Sequence, residues 1–292
     1  MTGKPEVLDD RRCLLGEGPA FDAARNRLWW VDILSHRILW RDLNNGTTGD
    51  LPTGDLIGAV ILRQDGGLTA CLSDRIVTID PDSQAVLDTI MMPTGHTQAA
   101  VSLRMNDAKC APDGQLFAGS MFVDEIPGSE SASALYRVKA GSIHGVLSGV
   151  TLSNGLAWSP GGQIMYYVDT RTQRIDQFDY EADSGPRNRR PLVVIDPIDG
   201  NPDGICTDLE GGIWVALWAG AKVHRYDAMG RLTHVVPLPV TQPTSVAFYG
   251  HDLRSLAITS AAIGTESDDK WAGQTFTVEP GVVGCAVAAF AG

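Results

Sequence analysis

Long apolar runs are missing from this 292-residue chain. No stretch approaches 18 consecutive apolar residues, and the opening MTGKPEVLDD has no apolar leader core. Neither a membrane-spanning helix nor an export signal is therefore expected, and the sequence reads as a cytoplasmic protein. Cysteine is scarce. Cys13, Cys71, Cys110, Cys206 and Cys285 are odd in number, scattered and without a CxxC pair, which fits reduced thiols rather than a disulfide framework or a thiolate zinc site. Positive charge is short as well: 23 Lys and Arg stand against 35 Asp and Glu, for a formal net charge of -12. Such a field repels nucleic-acid phosphates and anionic lipid and favours cations. A P-loop, a GxGxxG before a helix, a GxSxG elbow and helical heptads are all absent, so nucleotide cofactors and a Ser-His-Asp triad have no support.

What the chain does have is repetition. An apolar run, a polar turn and a second apolar run rich in aromatics recur six times, most clearly in CAPDGQLFAGSM (110–121), LAWSPGGQIMYYVD (156–169) and ICTDLEGGIWVALW (205–218). The turns, near Asn26, Gly66, Gly114, Gly162, Gly211 and His251, are spaced 40–49 residues apart. That period with period-2 alternation predicts a six-bladed β-propeller of four-stranded blades, and it disfavours a β-sandwich. Further strands are expected at 37–43, 75–80, 134–138, 174–180 and 222–227. No linker divides the chain, so residues 1–292 are expected to form one propeller domain. Segment 6–14 precedes the first inner strand and has no blade of its own, so it should close the ring as the outer strand of the last blade. Val283 to Phe290 is expected to contribute to that blade too.

About eight residues before each turn stand Glu17, Gly58, Asn106, Asn154, Asp203 and Thr244. If the blades surround an axis, these six positions form a ring at one mouth of the channel. Any one Asn or Asp beside a glycine is an ordinary turn residue. Four acids or amides at one offset are a pattern. Two carboxylates and an amide oxygen make a hard donor set suited to one divalent ion, which serves hydrolysis by polarising a carbonyl or activating water. None of the six histidines shares the offset. His96 and Trp218 are candidates to line the mouth, core packing being the preferred reading of Trp218; His224 reads as a surface or packing residue and the other tryptophans as packing between blades.

LLGEGPAFDAARNRLWWVDI, RMNDAKCAPDGQLFAGSM, ALYRV, LSNGLAWSPGGQIMYYVDT, NPDGICTDLEGGIWVALWAG and PTSVAFYGHDLRSLAITSA together resemble the SMP-30/gluconolactonase/luciferin-regenerating group of six-bladed propellers. The resemblance implies a divalent metal held by Glu17, Asn154 and Asp203, and substrate contacts from Arg104 and Asn106. Two segments depart from the family pattern: the ending at 279–287 and the FVDEIPGSESAS stretch after Met121.

The resulting expectation is metal-dependent hydrolysis of a sugar-derived aldonolactone to the aldonic acid, the ion being Ca, Zn, Mn, Mg or Fe. Asp203 orients or deprotonates the attacking water, unless hydroxide on the metal is the nucleophile. The stretch 122–133 forms a lid, from which Asp124 faces the sugar hydroxyls. The expected partner is a small sugar lactone, with neither nucleic acid nor membrane, and the protein is a monomer, a dimer being the alternative. The competing functions are a phosphotriesterase-type metallo-propeller and a non-catalytic binding propeller.

Overall fold

The structure, a computed structural model, describes residues 3–92, 102–123, 132–139, 141–265 and 269–292. It is a six-bladed β-propeller made of six four-stranded antiparallel sheets. The innermost strands are Gly16–Asp22, Ile57–Leu62, Leu103–Cys110, Ser153–Trp158, Asn201–Thr207 and Pro243–Tyr249. Among the described residues the only helices are two single 3-10 turns, Thr170–Thr172 and Pro197–Asp199. None is long and apolar enough to cross a membrane.

Burial follows strand position. The innermost strands carry almost wholly buried residues, because blades flank them on both sides. Outer strands such as Val86–Met91 are largely exposed. The apolar residues separate into six clusters, one between each pair of neighbouring blades. Trp29 sits between the first and second blades and Trp214 between the fifth and sixth, both fully buried. These rings fill the widening wedge between twisted sheets. His224 is buried against the Tyr226 hydroxyl, 2.9 Å away. All five cysteines are free thiols.

The hairpin turns use the residues the sequence supplies for them. Gly66, Gly114, Gly162 and Gly211 have φ between +76° and +86°, a region open to glycine at little cost.

The sixth sheet runs in the order Pro243–Tyr249, Ser255–Ser260, Thr275–Val278, Glu6–Asp9. Glu6–Asp9 lies antiparallel to Thr275–Val278 and fills the outer edge. The expectation that Val283 to Phe290 belongs to this blade is corrected. Thr275–Val278 and Glu6–Asp9 take the third and fourth places of the four-stranded sheet. Residues 283–291 instead leave the blade and cross the face of the ring. They bridge Asp208 through Gly284 and Arg63 through Phe290.

Candidate metal centre and active site

Each innermost strand slips register against its neighbour at the same level. The slips fall at 17–20, 57–59, 105–108, 153–156, 202–205 and 243–246. A bulge lets two consecutive residues turn the same way and re-aims a side chain. The strands also come very close here. A Cβ on Gly155 would lie 2.5 Å from the Asp203 carbonyl oxygen, and one on Gly58 would meet the Asn106 carbonyl.

The ring expected from the repeat is assembled on these bulges. Glu17, Arg104, Asn106, Asn154 and Asp203 are each 5–8% exposed. Asn106 links three of the strands' features: its Nδ2 donates to the Ser153 carbonyl at 2.8 Å and to Asn154 Oδ1 at 3.3 Å, and its Oδ1 accepts from Arg104 Nη1 at 2.9 Å. Asn154 Nδ2 donates to Thr170 Oγ1 at 2.9 Å, and that hydroxyl donates to the Pro202 carbonyl. With its NH₂ fixed by Thr170, Asn154 turns its oxygen toward its ring neighbours. Asp203 Oδ1 is buried without a hydrogen-bond partner.

The electrostatics are those of a well short of positive charge. Burial, then the charge of Asp107, pushes the Glu17 carboxyl up to about 8. Burial, then Glu17 and Asp107, raises Asp203 well above the carboxylate range, offset in part by the Asn154 amide and the Gly204 N–H. Burial lowers Arg104 to about 10, against the pull of Glu17 and Asp203. Burial also raises Asp107, while Lys109 opposes the shift. Lys109 itself donates to the Ile205 carbonyl at 2.6 Å. Asp107 and Lys109 are channel residues that sequence reasoning did not pick out.

Among the described residues no three His, Cys, Asp or Glu side chains form a group able to hold a metal. The set here is different: two carboxylates, one of them with an unpartnered oxygen, and an amide oxygen. Oxygen donors whose negative charge Arg104 offsets only in part fit a hard divalent cation. Asp124 and His96 lie outside the described residues, as does the stretch expected to form a lid, apart from residues 122–123 and 132–133. Phe122 at one end is buried under the Arg171 guanidinium, 5.0 Å from the ring. Trp218 ends its strand half-buried.

A second pair of aspartates holds the loops that present the ring. Asp32 accepts from the Leu14 and Leu15 N–H groups, just before Glu17. Asp169 accepts from the Thr151 N–H and hydroxyl and from the Leu152 N–H, just before Asn154. Asp169→Ala is expected to weaken divalent binding and lower kcat/KM on the order of 10- to 100-fold, the usual effect of losing a group that orients a ligand. Calorimetric titration beside steady-state kinetics checks this; unchanged ion affinity would make Asp169 a purely structural residue.

Comparison with known proteins gives a consistent result. The family model described as "SMP-30/Gluconolactonase/LRE-like region" matches residues 15–262. A Bacillus subtilis protein named "Putative sugar lactone lactonase YvrE" is 34% identical over 257 residues, covering 86% of this chain and 85% of its own. Regucalcin of Bos taurus is 32% identical over 279 residues, covering 90% and 89%. Among solved structures, a calcium-binding regucalcin from Agrobacterium tumefaciens superposes with TM-score 0.87 at 26% identity, covering 99% of this chain and 97% of its own.

Proposed function

This chain belongs to the SMP-30/gluconolactonase/LRE-like family, and we propose that it hydrolyses a sugar-derived aldonolactone to the aldonic acid with the help of one divalent metal ion. The observation that carries the reading is the unpartnered Asp203 Oδ1 on a buried ring with Glu17 and Asn154. The named activities of the relatives support the lactone class, and regucalcin's description as calcium-binding supports a divalent ion.

Glu17, Asn154 and Asp203 would hold the ion. A divalent ion there supplies positive charge that polarises a carbonyl oxygen. The protein's own groups do the rest. Asp203, with an oxygen free of protein partners, orients the attacking water and takes its proton. Arg104 has Nη1 committed to the Met105 carbonyl and Asn106, so Nε and Nη2 are left to donate to substrate oxygens. Asn106, bonded to Arg104 and Asn154 at once, keeps the substrate-binding and ion-binding groups in register. The free thiols support a reducing, cytoplasmic setting.

A panel of pentono-, hexono- and acidic sugar lactones, followed by proton release with and without chelator, tests the proposal. A phosphotriester is the control. Lactone turnover that ignores the chelator removes the metal from the mechanism, and faster phosphotriester turnover removes the substrate class.

Arg104→Lys keeps the charge and loses the planar fork. It is expected to raise KM or lower kcat, together about 10-fold or more in kcat/KM, while ion affinity holds. Wild-type kinetics in this variant would confine Arg104 to holding Asn106.

A further inference from the structure

We propose that residues 283–291 form a strap that gates a second entrance to the channel, at the mouth opposite the carboxylate ring. The strap crosses the ring between two anchors. At one end Leu209 N–H donates to the Val283 carbonyl, Gly284 N–H to Leu253 and Cys285 N–H to Thr207, tying it to the fifth and sixth blades. At the other end Phe290 N–H donates to Leu62, and Gln64 and Ala291 complete bonds to the second and third blades. Phe290 is buried in the cluster between those blades, with the Arg63 guanidinium 5.5 Å from its ring. Gly284 lies so close to Phe248 that a Cβ would collide with the ring.

Between the anchors the strap is loosely held. Residues 286–288 make no backbone hydrogen bond to a blade among the described residues. Val287 is 55% exposed. The span arches over two cavities of about 250 and 270 Å³, and residues 286–288 line both. The larger starts directly beneath the site. Gly18, Ala59, Asp107 and Ser245 line it, and each follows a ring position by one residue. The smaller holds Cys110 and Cys206 in its wall, with Cys285 on the strap.

A short segment of small side chains, not the blades, therefore spans and narrows the channel at this end. A segment fixed at two points with an unbonded middle opens locally at far less cost than the sheets. When it lifts, small neutral molecules reach the floor of the site without passing the substrate mouth.

Alkylation by iodoacetamide, mapped cysteine by cysteine, reads the gate. Cys13, buried between the sixth and first blades and lining neither cavity, serves as the internal standard. Phe290→Ala and Gly284→Ala, each in the full chain, loosen opposite anchors. Both are expected to speed labelling of Cys110 and Cys206 about tenfold or more, because emptying the Phe290 site or crowding residue 284 against Phe248 raises the open population. Cys13 should keep its wild-type rate. Parallel acceleration of all the buried thiols would mean global unfolding and overturn the gate. So would unchanged rates at Cys110 and Cys206 in both variants, or wild-type rates there that already match a free thiol.

Discussion

Asp203→Asn is expected to abolish lactone hydrolysis, lowering kcat/KM about a thousandfold or more, and yet to make the metal-free protein more resistant to heat. Both effects come from one feature. Asp203 is buried with Glu17 and Asp107 close enough to raise it by like charge, and one of its oxygens has no partner. A fold that buries these carboxyls together, with Arg104 offsetting them only in part, is destabilised at its functional site. The neutral amide keeps the shape and removes the charge.

The sign with pH follows. Glu17 is raised from its ordinary 4.5 to about 8, and Asp203 is raised as well. Between those values the folded state holds protons that the unfolded chain has released, so stability falls as pH rises through the window. Asp203→Asn should flatten that slope. A saturating divalent ion should reverse the ranking, since at a hundred times Kd it adds about 2.7 kcal/mol to the wild type. Thermal scans at pH 5 and 8, with chelator and with ion, test every part. A variant that still turns over lactone, or that melts below the wild type without metal, contradicts the assignment.

The second large effect concerns stability alone. Asp208 is fully buried at the far end of the fifth blade's inner hairpin. It accepts from the Glu210 and Gly212 N–H groups, from Trp214 Nε1 at 2.8 Å, and from Arg225 Nε and Nη2 at 2.7 and 3.2 Å. Asp208→Ala strands a buried guanidinium, which costs about 3–5 kcal/mol. At about 2–4 °C per kcal/mol the Tm should fall by roughly 10 °C. Asp208 stands apart from the carboxylate ring, so calorimetric ion affinity at low temperature should persist. A loss under about 1 kcal/mol would show that Glu210 and Thr233, which also bond Arg225, suffice to hold it.

The repeat made the blades legible, because a fixed offset from each polar turn locates each inner strand. The same offset gave Glu17, Asn106, Asn154 and Asp203. It missed Asp107 for a definite reason. Strict alternation sends the residue after Asn106 away from the channel, whereas the bulge at 105–108 turns both inward. Thr170 was missed because its contact to Asn154 joins strand ends sixteen positions apart, a distance no local pattern encodes. The segment VVGCAVAAF at 282–290 has the composition of a strand. Its fate depends on which edges other segments have already taken, and composition does not record that.

The placement of Glu6–Asp9 against Thr275–Val278 has a consequence for biosynthesis. Glu6–Asp9 leaves the ribosome before every other described strand of the ring but is among the last to find its partner, since that partner lies some 270 residues downstream. Until then the growing chain is an open arc with unpaired rims on its first and latest blades, the kind of surface that recruits other chains. Closing so long a loop is slow. The arc is thus the interval in which chaperones matter most, and substitutions at Glu6–Asp9 should lower the yield of folded protein more than they lower its melting temperature.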